Sequence, residues 1–119
     1  MYIKSYKELI VWQKSIALVK NIYRFTEDFP KTEIYGLSAQ MRRSAISIPS
    51  NIAEGYKRRG RKEFLQFLSI AEASAAELET QIIITRELYP TISVATAESL
   101  LNEIQKMLPV MIQKLNAQR

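Results

Sequence analysis

Apolar residues recur every three or four positions along almost the whole chain, and the rhythm breaks only where proline or glycine interrupts it. Leu9, Trp12, Ile16, Val19, Tyr23 and Thr26 set the pattern in the first segment. This spacing lays one stripe along a helix of 3.6 residues per turn. No stretch alternates with period two between turn signals, so a sheet is not expected. Phe29-Pro30, Gly60 and Tyr89-Pro90 punctuate the chain, because a residue before proline disfavours the helical region and glycine commonly ends helices. Four helices follow, at about residues 5–28, 33–59, 61–88 and 93–116. The connections are short, roughly four to six residues, which favours antiparallel neighbours. The expected fold is all-α: an up-down-up-down antiparallel four-helix bundle, a single domain over residues 1–119.

Each segment has its own signals. Ser5 and Glu8 have the spacing of a capping box for the first helix. A second stripe, Val11, Leu18, Ile22, Phe25 and Phe29, flanks the first. Two stripes fit either a wide core face or a second face buried against another subunit. In the second segment Leu37, Met41, Ser44, Ala45, Ile48, Ile52 and Gly55 share a side. Pro49 falls inside it and predicts a kink near residues 45–49, since an interior proline loses a backbone hydrogen bond. In the third, Phe64, Phe67, Ala71, Ser74, Leu78, Gln81, Thr85 and Leu88 align, with small residues over 69–76 that permit close helix approach. In the fourth, Ala97, Leu101, Ile104, Leu108, Met111 and Leu115 align, and Pro109 predicts a kink near Gln105.

Composition removes whole classes of chemistry. The chain has no cysteine and no histidine. Disulfides, thiolate or imidazole metal sites, and triads that need a histidine base are therefore excluded. No cofactor motif is present. No apolar run approaches the ~20 residues of a membrane span. The N-terminal stretch carries charges through its apolar patch and makes a poor signal peptide. A cytoplasmic protein is the expectation.

The net charge is +5, and residues 55–62 alone hold five positive residues and no negative ones. Lys57, Arg58, Arg59, Arg61 and Lys62 thus converge on the turn between the second and third helices. Arginine forks match phosphate oxygens and stay charged, so the block suits a nucleic-acid backbone. A solvated turn that complements a helix C-terminus, or another acidic partner, remains open. Arg42 and Arg43 lie about four turns away and form a separate cluster unless subunits assemble. Glu54 sits among apolar neighbours, where its pKa could rise, but Arg58 at i+4 offers an ion pair. Glu72 and Glu79 share a face that Glu77 does not join, so a carboxylate metal site is not expected.

Residues 29–82 resemble a known family. The matching pieces are Tyr35-Gly36-Leu37, Gln40-Met41-Arg42-Arg43-Ser44-Ala45, and the run from Ser47 through Pro49 and Asn51 to Gly55. Lys62-Glu63-Phe64 and Glu77-Leu78-Glu79 follow, and Val11-Trp12-Gln13 with Ile22-Tyr23 fit in the first segment. The family is that of small four-helix proteins encoded by intervening sequences in bacterial 23S rRNA genes. It is similar in fold to the accessory protein of diversity-generating retroelements. That resemblance implies a ring-like homopentamer, nucleic-acid binding on a basic surface, and no enzymatic site. Gly60, where a serine cap would be expected, and Pro109 depart from the pattern. The reading is a non-enzymatic homo-oligomer that binds structured RNA or DNA, rRNA among the candidates. Arg42, Arg43, Lys57, Arg58, Arg59, Arg61 and Lys62 would carry the phosphate contacts. The alternative is a scaffold that recruits a protein partner, such as a reverse transcriptase, through the same rim.

Overall fold

The computed structural model describes residues 4–117. A 3-10 turn (Tyr6–Glu8) leads into α1 (Ile10–Thr26), and a second 3-10 turn (Lys31–Glu33) leads into α2 (Leu37–Lys57). Then come α3 (Arg61–Leu88) and α4 (Ala95–Ala117), with no strand among the described residues. Contacts join α1 to α2, α2 to α3, α3 to α4, and α4 back to α1, while the diagonal pairs stay apart. This is a four-helix bundle, 49 × 23 × 21 Å in extent.

Cross-helix bonds fix the antiparallel register. Ser44 and Ser47 on α2 meet Glu77 and Ser74 on α3. Arg86 and Glu79 on α3 meet Glu98 and Gln105 on α4. In both pairs, rising numbers on one helix meet falling numbers on the next. Lys14 of α1 pairs with Glu103 of α4 and closes the ring.

The core follows the sequence pattern, and on α1 it takes one of the two stripes. Met41, Ala45, Ile48 and Ile52 of α2 are buried, as are Leu68, Ala71, Ala75, Leu78 and Ile82 of α3. On α1 the buried apolar residues are Val11, Leu18, Ile22 and Phe25, all of the flanking stripe, and Ser15 and Thr26 are buried with them. The stripe of Leu9, Trp12, Ile16 and Val19 is only half-buried, and Tyr23 is exposed. Period alone gives two stripes about 100° apart. Which of them faces inward is decided by where α2 and α4 pack.

The α2–α3 contact is the most extensive in the bundle. Small residues let the two backbones come close, and their hydroxyls satisfy one another. Ser44 donates to Glu77 at 2.8 Å, Ser47 and Ser74 share a bond of 2.7 Å, and Asn51 Nδ2 donates to the Ser47 carbonyl at 2.7 Å. Pro49 lies within α2, which is helical on both sides of it. Gly55 sits where the helices press hardest: a Cβ there would stand 2.6 Å from Phe67 Cβ.

The helix starts differ from the expected capping. Ser5 accepts from the Lys7 N–H and caps the 3-10 turn. The Glu8 carboxylate accepts from the Lys4 N–H at 2.7 Å, so the capping-box residues serve that turn and α1 begins at Ile10. The second segment likewise starts as a 3-10 turn, and α2 begins at Leu37. There Glu33 accepts from the Leu37 N–H at 3.1 Å and from the Tyr89 hydroxyl at 2.5 Å. The carboxylate thus ties the start of α2 to the end of α3.

This latch is pH-sensitive at both limits. The Tyr89 hydroxyl and the Leu37 N–H hold Glu33 below its usual 4.5. Its contribution is present above that value and is lost as pH falls through the lowered one. Tyr89 is raised above its usual 10.0, chiefly by the bond to Glu33. Its contribution is present below 10.0 and lost as pH climbs through the raised value. Tyr89→Phe should therefore unfold at lower urea than the wild type at pH 7. The gap should narrow as Glu33 is protonated in acid; a gap of constant size would contradict the latch.

Candidate nucleic-acid interface

Three residues, Arg58 to Gly60, join α2 to α3. Arg58 leaves the helical region with φ −72° and ψ 157°, which ends α2. Gly60 was expected to end α2. It is instead the extended residue before α3, with φ −119° and ψ 145°. The turn needs no positive φ at all.

The five cations of the turn divide by environment. Arg58 is braced: it pairs with Glu54 at 2.9 Å and Glu63 at 3.7 Å, and its guanidinium lies 4.9 Å from the Phe67 ring centroid. Glu54 is thereby occupied as an ion-pair partner. Lys57, Arg59, Arg61 and Lys62 are exposed and make no ion pair among the described residues. Arg58 offsets one of the two carboxylates nearest the turn, so residues 54–63, with five positive and two negative side chains, keep a net charge of +3 concentrated on these four.

A fifth cation joins them from far away in sequence. The Tyr6–Glu8 turn packs on α2, with the Tyr6 ring 6.4 Å from Tyr56 and 5.4 Å from Trp12. Tyr56 in turn meets Phe64 of α3 at 6.0 Å. This aromatic run seats the N-terminal turn at the basic end and brings exposed Lys7 there. Sequence spacing gave no sign of it, because the Tyr6–Tyr56 contact spans some fifty residues.

The second pair does not join this surface. Arg42 Nε donates to Thr26 Oγ1 at 2.9 Å and Nη2 to the Tyr23 carbonyl at 3.4 Å, with the guanidinium 4.4 Å from the Tyr23 ring centroid. It ties α2 to the C-terminal turn of α1, where a cation is favourable. Arg43 is exposed and makes no ion pair among the described residues. Both lie about 22 Å from Lys57 along α2, at 1.5 Å per residue. One subunit therefore keeps the two clusters apart.

Glu77 accepts from Ser44 on α2, and Glu79 accepts from Gln105 on α4, so they face different neighbours. No group of three potential ligands gathers among the described residues. No helix among them is long and apolar enough to cross a membrane.

Fold and site together define a small helical-bundle protein with one strongly basic end. The family model of the 23S rRNA-intervening sequence protein matches residues 7–113, and the chain belongs to that family. It is similar to the crystal structure of a protein of unknown function from the S23 ribosomal protein family of Bacteroides thetaiotaomicron. The two share 29% identity with a TM-score of 0.73, over 87% of this chain and 98% of the other. No curated protein matches the chain.

Proposed function

We propose that this protein is a non-enzymatic, cytoplasmic homo-oligomer that binds structured RNA, rRNA foremost, through phosphate contacts at its basic end. The observation that carries this reading is the set Lys57, Arg59, Arg61 and Lys62: exposed, convergent on one turn, and without ion pairs among the described residues. Arg58 supports the turn more than it contacts ligand, because Glu54 and Glu63 already claim it. Contacts of this kind read backbone charge and shape, so binding should be salt-sensitive and weakly sequence-specific.

Self-association would use the α1–α2 groove. Trp12, Ile16, Val19, Ile46 and Pro49 line it, and Ile46 is 42% exposed. A second copy of this chain would cover that apolar surface, in a homopentamer as the resemblance implies. It would also be the means of bringing Arg42 and Arg43 of one subunit nearer the basic end of the next.

Filter binding of 23S rRNA fragments at low salt tests the ligand. Retention is expected, and no retention at micromolar protein would sink the reading. Capture of an acidic protein partner without RNA retention would favour the scaffold alternative. Light scattering should give five times the chain mass, and Ile46→Glu should lower it. A monomeric wild type would remove the oligomeric part of the proposal.

A further inference from the structure

At the end of the bundle opposite the basic turn, the geometry points to a second binding site: a pocket for a monocarboxylate carried on a small apolar body. A cavity of about 340 Å³ opens between the C-terminal end of α1, the Lys31–Glu33 turn and the first turns of α2. That is within the roughly 300–1,000 Å³ usual for small-molecule sites. Ser38 lines it, is 7% exposed, and its hydroxyl has no hydrogen-bond partner among the described residues. The hydroxyl is not sealed inside the core, where Gln81 Oε1 is the unpaired atom among the described residues, so it is open to the cavity and free to bond a ligand there.

Arg42 lines the same cavity and is held in place before any ligand arrives. Its Nε and Nη2 are engaged by Thr26 and the Tyr23 carbonyl, and Tyr23 stacks on the guanidinium. Nη1 has no partner among the described residues. A preorganised guanidinium edge beside an unpartnered hydroxyl suits a carboxylate, which accepts from both. Lys31 and Glu27 also line the cavity, and their charges offset. One net positive charge is left, which matches a monoanion better than a phosphate dianion.

The walls choose the rest of the ligand. Phe29, Pro30 and Ala39 are apolar, and Ile34 at the rim is 56% exposed. An aliphatic or aromatic group attached to the carboxylate would cover Ile34. Ser38 lies about 28 Å from Lys57 along α2, at 1.5 Å per residue, so within one subunit this site is separate from the basic turn.

Phenylacetate, phenylacetamide and phenyl phosphate titrated into the intact protein by calorimetry test the assignment. Phenylacetate should bind at least about tenfold tighter than the amide, as a charge-assisted hydrogen bond to arginine requires. Phenyl phosphate should bind no tighter than phenylacetate. Ser38→Ala should weaken phenylacetate about fivefold, the loss of roughly one hydrogen bond. Ala39→Leu, which fills the cavity from a half-exposed helix position, should abolish binding while leaving the melting temperature within a few degrees. Equal affinity for acid and amide, tighter binding of phenyl phosphate, binding that survives Ala39→Leu, or no heat at millimolar phenylacetate would each overturn the proposal.

Discussion

Gly55→Val is expected to destabilise the bundle by about 3 kcal/mol, the high end for overpacking a closely packed contact. A Cβ at this position would stand 2.6 Å from Phe67 Cβ and 3.0 Å from Phe64 Cδ1. Phe67 Cβ is fixed by its own backbone, so a helix would have to move. Alanine would recover ~1 kcal/mol of helix propensity and so cost less than valine, which recovers less and adds two methyl groups. Gly60 is the internal control, since an added Cβ there meets nothing within 4 Å. Gly60→Ala should change stability by less than about 0.5 kcal/mol. Urea unfolding distinguishes the two. Equal effects at Gly55 and Gly60 would mean that close α2–α3 approach is not what demands glycine. Gly55 is two residues from Lys57, so the same substitution should also disturb the basic turn and weaken RNA binding.

Reversing charge at Lys57, Arg59, Arg61 and Lys62 together to glutamate should reduce RNA affinity at least about a thousandfold at low salt, given the counterion release that four phosphate contacts provide. Folding should be preserved, because the four side chains are exposed and make no ion pair among the described residues. Circular dichroism should give an unchanged helical spectrum. Retained affinity with intact helices would move the binding surface elsewhere, and Arg43 with Lys7 would then be the next cations to reverse. Arg42→Gln belongs to a different category. It should loosen the α1–α2 contact through the loss of its bonds to Thr26 and Tyr23, and change RNA affinity little in a single subunit.

Much of this was legible in the residues because helices announce themselves locally. The 3-and-4 spacing and the breaks at Pro30, Gly60 and Pro90 give four helices with boundaries close to those observed, since each signal depends only on neighbours within a turn or two. Orientation was harder. Which stripe of α1 turns inward depends on where α2 and α4 sit, so spacing alone did not separate Trp12 and Ile16 from Leu18 and Ile22, which occupy the core. The Ser5–Glu8 spacing fits a capping box and a 3-10 turn equally well, and the Tyr6–Trp12 contact accompanies the second.

The site shows the same division. The convergence of five cations on the α2–α3 turn follows from chain order alone. That Arg58 is neutralised by Glu54 was foreseeable from their i,i+4 spacing, whereas its second partner Glu63 comes from across the turn. Arg42 could not be separated from Arg43 by sequence, because its partners Thr26 and Tyr23 lie sixteen and nineteen residues away. Lys7 reaches the basic end through aromatic packing between the Tyr6–Glu8 turn and α2. Gly55 looked like one more small residue on a helix face; its necessity depends on Phe67 opposite it.

The salt dependence of RNA affinity tests the central claim most directly. If Lys57, Arg59, Arg61 and Lys62 each neutralise a phosphate, log K against log salt should fall with a slope of about −3 per bound subunit, and Arg59→Gln should make it shallower by about 0.7–0.9. A slope near zero, or one that Arg59→Gln leaves unchanged, would contradict phosphate binding at the basic end.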